Sequence, residues 1–307
     1  MKSKLIIGTR GSRLALWQAE FVRARLGEIY PEIEINLEII KTSGDVLQNV
    51  SLTEIGGQGV FVKELETALL AGRIDLAVHS LKDLPTILPE NLHLAAILKR
   101  EDARDALIVR SDLNANSISD LPNNAVLGTS SLRRASQIKN RRPDLQIRDV
   151  RGNVDTRLAK LETGDYDAII LAVAGLKRLG YENRITAVLT FEEMLPQIGQ
   201  GALGIETRQN DTETNQIVSA LTDEATSFAA LAERTFLREL GGGCQFPIAA
   251  YATIEADEML LRGLVGAPDG STILRDEISG APRNAIELGQ KLAKTFLASG
   301  AQNLINV

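Results

Sequence analysis

At 307 residues, with 44% hydrophobic and 24% charged side chains, the chain has a globular composition and enough length for two or three domains. A formal net charge of −6 excludes a surface that binds nucleic acid or an anionic membrane throughout, so any anion site must be local. One cysteine excludes an internal disulfide and a CxxC motif, and two histidines, His79 and His93, are too few for a multi-histidine metal centre.

The N-terminal MKSKLIIGTRGS has only Leu5, Ile6 and Ile7 as an apolar run, too short for a signal-peptide core. No stretch reaches the ~20 apolar residues of a membrane span. The expected setting is the cytoplasm, or the plastid stroma for a processed form.

KLIIGT, residues 4–9, reads as a buried strand, and Ser12 caps a helix running to about residue 29, with Leu14, Trp17 and Phe21 as its apolar face. Ile33, Ile35, Leu37 and Ile39 then alternate with Glu34, Asn36 and Glu38 at strand period. The stretch TSGDVLQNVSLTEIGGQG, 42–59, is polar, glycine-rich and long for a connection, which suits either a lid or plain disorder. A helix over 61–72, a strand over 74–80 ending at KDLP and a strand over 92–98 follow, and ALIVR at 106–110 opens a second unit.

That second unit echoes the first. IGTRGSRLA at 7–15 resembles LGTSSLRRA at 127–135, each a strand ending in Gly-Thr before a hydroxyl-capped helix, and the echo favours two similar α/β domains with a cleft between them. GALGIET at 201–207 is expected to return the chain to the first domain. A helix over 223–240, strands over 246–254, 258–265 and 272–278 with a turn at Asp269-Gly270, and a helix over 283–298 predict a C-terminal α+β domain with an antiparallel sheet. The expected boundaries are 1–98 with 199–219 for domain 1, including a lid at 42–60, then 103–195 for domain 2 and 223–307 for domain 3.

The most informative chemical feature is a basic segment. Arg133, Arg134, Lys139, Arg141, Arg142, Arg148, Arg151 and Arg157 cluster in an otherwise acidic chain. A solvated helix face accounts for Lys139, Arg141 and Arg142. Arg133, Arg134, Arg151 and Arg157 instead lie at strand-to-helix junctions, where helix N-termini present unpaired N–H groups beside the ligand crevice of an open α/β sheet. Arg10 occupies the matching junction of the first unit. The implied ligand is polyanionic, carrying carboxylates or phosphates; no Walker pattern directs the choice to nucleotides, and the arginine fork suits carboxylates.

Cys244, in LGGGCQFP, reads either as a small buried hydrophobe or as a thiol left open by its glycines to a bulky adduct. Asp83, in HSLKDLP, reads either as a loop cap or as a carboxylate at a strand C-terminus, kept ionised by Lys82 and suited to stabilising a cation and moving protons.

Taken together, TRGSRLALWQA, GGQGVFVKELE, AVHSLKDLP, GTSSLRR, RGNVDTRL, LAVAGLKRLG, IGQGALGIE and GGGCQFP resemble, in order across roughly residues 5–250, the porphobilinogen deaminase (hydroxymethylbilane synthase) family. The resemblance implies two periplasmic-binding-protein-like α/β domains with a double crossover and a C-terminal α+β domain with a three-stranded antiparallel sheet. It implies a monomeric transferase of tetrapyrrole biosynthesis acting on porphobilinogen, with no metal and no nucleic-acid or membrane partner. It further implies a dipyrromethane cofactor in thioether linkage to Cys244, addition of four porphobilinogens with loss of ammonia, and hydrolytic release of linear hydroxymethylbilane.

By the same resemblance Asp83 is catalytic, stabilising the azafulvenium formed on ammonia loss, and Arg10, Arg133, Arg134, Arg151, Arg157 and Arg178 hold acetate and propionate groups with Ser12, Lys82, Thr129 and Ser131. Gln58, Phe61 and Gln200 extend the binding set. Gln58 stands where many members have lysine, and TSGD at 42–45 replaces the usual TRGD, which puts a charge contact from the loop in doubt. Two rivals come from other classes: a binding-protein-like sensor of a polycarboxylate, which needs neither Asp83 nor an adducted Cys244, and a cysteine hydrolase, for which neither histidine offers a base.

Overall fold

The computed structural model describes residues 2–43, 62–243 and 246–305. In chain order the elements are β1 (Lys4–Thr9), α1 (Arg13–Ile29), β2 (Glu34–Ile39), α2 (Lys63–Leu70), β3 (Leu76–Ser80) and β4 (Leu92–Ile97). Next come β5 (Asp105–Val109), β6 (Val126–Gly128), α3 (Leu132–Arg141), β7 (Gln146–Arg148), α4 (Val154–Glu162), β8 (Ala168–Ala172), α5 (Val173–Arg178) and β9 (Ala187–Val188). The remainder is β10 (Leu203–Arg208), α6 (Thr212–Ser219), α7 (Glu224–Glu239), β11 (Ile248–Glu255), β12 (Glu258–Gly266), β13 (Ile273–Gly280), α8 (Ala285–Ala298) and α9 (Ala301–Ile305). The chain divides into two compact units, 1–101 with 201–227 and 102–200 with 228–307.

The first unit is built on a five-stranded sheet of order β2-β1-β3-β10-β4, in which β1 is parallel to β2 and β3, and β10 is antiparallel to β3 and β4. As GALGIET predicts, the returning strand β10 completes this sheet. Leu5, Ile7, Leu76, Val78, Leu203 and Ile205 face one core with Ala19, Val22 and Leu26 of α1, and Ala77 faces a second core with Leu65, Ala68 and Leu69 of α2. The expected apolar face of α1 is corrected here: the helix buries Ala15, Gln18, Ala19, Val22 and Leu26. Trp17 and Phe21 are exposed and stack on each other with ring centroids 5.3 Å apart. Small alanines let the helix axis approach the sheet closely, which the two aromatic rings would prevent.

The second unit contains a five-stranded sheet of order β7-β6-β8-β5-β9, with β6 parallel to β7 and β8, and β5 antiparallel to β8 and β9. This is the arrangement of the first sheet with β5 in the place of β10, so the echo in sequence is an echo in topology. The glycines of the repeated Gly-Thr pairs have a common steric reason. A Cβ on Gly8 would lie 2.2 Å from Ile74 Cδ1, and one on Gly128 would lie 2.8 Å from the Tyr166 ring.

The same unit carries the three-stranded antiparallel sheet β11-β12-β13. α7 and α8 pack on it through Phe236 and Phe296, whose rings meet edge to face at 5.2 Å. Gly270, at φ 76°, makes the turn between β12 and β13 that Asp269-Gly270 predicts. α9, which the sequence pattern leaves unmarked, extends this cover.

Candidate functional site

In the first unit the candidate residues gather at the C-terminal ends of β1 and β3. Arg10 is half-buried between β1 and α1, and the Ser12 hydroxyl accepts a hydrogen bond from Ala15 N at 3.3 Å as the helix cap. β3 runs directly into a tight turn, Leu81–Asp83, with Leu81 buried, Lys82 half-buried and Asp83 exposed. Several bonds fix the turn: Gln18 Nε2 donates to Ser80 Oγ at 2.8 Å, Leu81 N to Ala202 O at 3.0 Å and Leu84 N to Leu81 O at 3.2 Å. The catalytic candidate therefore stands on a rigid strand end and not on a loose loop.

In the second unit Thr129, Ser131, Arg133 and Arg134 lie at the β6-to-α3 junction. The buried Thr129 hydroxyl accepts from Ser131 N at 3.2 Å, and Ser131 caps α3, so both hydroxyls also shape the turn. Arg133 and Arg134 are buried, and both reach Asp105 at the start of β5. Arg133 Nη1 donates to Asp105 Oδ2 and to Leu195 O, each at 2.8 Å. Arg134 donates through Nε and Nη2 to Asp105 Oδ1 and through Nη1 to Ile170 O. Burial alone would raise the Asp105 carboxyl, but the two guanidiniums outweigh it and hold the group well below the usual carboxylate range. Burial and the neighbouring Arg134 push Arg133 down, against the opposing pull of Asp105.

Arg151 and Arg157 flank the turn into α4. Arg151 Nη2 donates to Asp149 Oδ2 at 3.0 Å, and Arg157 Nε donates to the carbonyl of Gly152, a glycine at φ 106°. Arg178 is half-buried at the last residue of α5. Gln200 is fully buried, its amide donating to Ala103 O at 2.7 Å and Asp105 Oδ1 at 2.9 Å.

One reading of the basic segment is corrected. Arg142 is not on a solvated face: it pairs with Asp144 and donates to the carbonyls of Ile118, Ser119 and Leu121. Arg141 is exposed and donates to Glu192 O. Cys244, Gln58 and Phe61, with the lid from residue 44 onward, lie outside the described residues. Asp105 is the participant that sequence reasoning missed. Its signal was an acid opening a buried strand in a chain whose arginines needed a partner.

Two five-stranded sheets of one topology and a C-terminal three-stranded antiparallel sheet make this a mixed α/β chain. The model of the porphobilinogen deaminase dipyromethane cofactor binding domain matches residues 5–216, and that of the porphobilinogen deaminase C-terminal domain matches 227–298. Porphobilinogen deaminase of Chlorobaculum parvum is 49% identical over 99% of this chain and 98% of its own length. That of Chlorobium chlorochromatii is 49% identical over 100% of this chain and 98% of its own. Among solved structures, the BvgS periplasmic VFT2 domain of Bordetella pertussis matches with 15% identity and a TM-score of 0.41, covering 70% of this chain and 84% of that one. The chain belongs to the porphobilinogen deaminase family and is an enzyme, a transferase of tetrapyrrole biosynthesis.

Proposed function

We propose that this chain joins four porphobilinogen molecules head to tail, with loss of ammonia at each addition, on a dipyrromethane cofactor attached through Cys244, and frees linear hydroxymethylbilane by hydrolysis. The observation that carries the reading is the family match over nearly the full length at 49% identity. A ligand rich in acetate and propionate groups fits the donor set, because Arg133 Nε and Nη2 are buried without a hydrogen-bond partner among the described residues. When bound, the cofactor supplies the pyrrole carbon that receives the first substrate.

The chain's own residues do the rest. Arg10, Arg133, Arg134, Arg151, Arg157 and Arg178 hold ligand carboxylates, with Ser12, Lys82, Thr129 and Ser131 assisting, Gln200 serving them through its bond to Asp105, and Gln58 and Phe61 extending the set. As ammonia leaves porphobilinogen, positive charge develops on its aminomethyl carbon and spreads into the ring. Asp83, held by the turn after β3, stabilises that charge and takes part in moving the pyrrole protons. Supporting this assignment, Asp83 is an exposed carboxylate at a strand C-terminus with Lys82 beside it.

We read three domains, 1–98 with 199–219, 103–195 and 223–307, supported by one sheet in each segment. The reading includes a monomer in the cytoplasm or plastid stroma; no described helix is long and apolar enough to cross a membrane. The test is intact mass after acid treatment together with ammonia release from porphobilinogen. We expect an acid-stable increment of two condensed substrate units, lost in Cys244→Ser because a hydroxyl is far less nucleophilic than a thiolate. Ammonia release with no adduct would remove Cys244 from the attachment; binding without ammonia release would favour a polycarboxylate sensor.

A further inference from the structure

Asp105 is a buried carboxylate with no assigned role. It is 0% exposed at the first residue of β5, opposite Ala172 at the last residue of β8. Its oxygens accept four hydrogen bonds: Oδ2 from Arg133 Nη1 at 2.8 Å, and Oδ1 from Arg134 Nη2 at 2.7 Å, Arg134 Nε at 3.2 Å and Gln200 Nε2 at 2.9 Å. No face of this carboxylate is open to a ligand. Two guanidiniums meet one carboxylate, so among the described residues the cluster carries one buried positive charge in excess, a costly arrangement unless another anion completes it.

The unspent charge and the unspent donors fall on the same residue. Arg134 has all three nitrogens engaged, the last through Nη1 to Ile170 O at 2.9 Å. Arg133 commits only Nη1, to Asp105 and Leu195 O, while its Nε and Nη2 are buried with no partner among the described residues. Nε and one Nη are the edge that grips a carboxylate with two parallel bonds. Gln200 adds to the hold on Asp105. It sits between Gly199 at φ 71° and Gly201 at φ 89°, and that left-handed backbone carries its amide to Ala103 O and Asp105 together.

We propose that Asp105 is the positioning residue of the anion site, holding Arg133 with its Nε and Nη2 edge free for a single ligand carboxylate while never touching ligand itself. This rests on the reading that the arginines hold cofactor and substrate carboxylates.

The test compares full-length Asp105→Asn, Gln200→Leu and Arg133→Gln with the parent for acid-stable adduct by intact mass, melting temperature, and KM and kcat for porphobilinogen. For folded Asp105→Asn we expect a reduced adduct fraction and, in the molecules that carry adduct, a KM raised about tenfold or more with kcat within about threefold. A purely structural carboxylate would lower the melting temperature and leave both adduct fraction and KM at parent values, and that result overturns the proposal. Should Asp105→Asn not fold, Gln200→Leu decides, since it keeps every charge: a KM raised several-fold supports the positioning role and a parent KM overturns it. Arg133→Gln separates the two failures. Normal adduct and KM in that variant sink the carboxylate-holding reading itself, whereas impairment there with a normal Asp105→Asn sinks only the role of Asp105.

Discussion

β5 and β10 hold the same place in their sheets, each the antiparallel neighbour of the third strand of a parallel trio, and each carries one fully buried acid. Asp105 opens β5 opposite the end of β8, and there meets two guanidiniums. Glu206 lies deeper, opposite Ala77 of β3, and meets the imidazole of His79 at 3.0 Å. Half-buried Glu66 on α2 responds to the same cluster: burial and the charge of Glu206 push its carboxyl up, with His79 opposing. Depth along the strand thus separates a carboxylate paired with two guanidiniums from one paired with an imidazole, and on the proposed reading only the first serves ligand binding. The two sheets also differ at their ends: the first offers the carboxylate Asp83 beside Arg10 and Lys82, the second a set of arginines.

If the first sheet supplies chemistry and the second supplies binding, the largest single effect belongs to Asp83. Asp83→Asn keeps shape but removes the charge that a developing cation needs, so turnover of the adduct-bearing protein should fall about 100-fold or more, measured as ammonia release at saturating porphobilinogen. A change confined to KM would break the division of labour.

A smaller effect sharpens it. Arg157→Ala should raise KM about tenfold, the loss of a charged hydrogen bond to a carboxylate. Arg142→Ala should do the reverse, lowering the melting temperature by a few degrees with KM unchanged, because its guanidinium ties the carbonyls of Ile118, Ser119 and Leu121. Equal KM effects at both positions would erase the distinction between the two arginines.

The smallest effect concerns the rim of the first sheet. Burial would raise the Asp211 carboxyl, but bonds from Lys2, Thr214 and Arg208 pull it from the ordinary 3.8 to about 2. A group depressed in the folded state stabilises it fully above the ordinary value and loses that contribution as pH falls through the folded one. Thermal melts of the parent should therefore lose stability between about pH 4 and 2, and Asp211→Asn should show a shallower loss over that window.

Much of this was legible. Buried strands such as KLIIGT and IDLAVHS carry short apolar runs, Leu5 to Ile7 and Leu76 to Val78, and the Gly-Thr echo reports a shared steric need at Gly8 and Gly128. Less was legible where partners are distant in sequence. Arg133 and Arg142 look alike as letters, yet one reaches back to β5 and the other to the 118–121 turn. The face of α1 follows the space available against the sheet, which Ala15 and Ala19 fill, and not the bulk of Trp17 and Phe21. Asp105 offers only an acid opening a buried strand, and its partners appear only when α3 folds against β5.

The insertion of β10 between β3 and β4 also has a consequence in time. Residues 203–207 pair with 76–80, so the first sheet stays incomplete until the ribosome has passed the whole of the second, whose strands all lie within 105–188. At about 5–20 residues per second, the facing edges of β3 and β4 wait several seconds without the strand that belongs between them. During that interval the nascent chain presents unpaired strand edges open to foreign strands. The segment encoded second is thus the first able to finish its sheet, and the N-terminal segment depends on late-arriving chain to close its own.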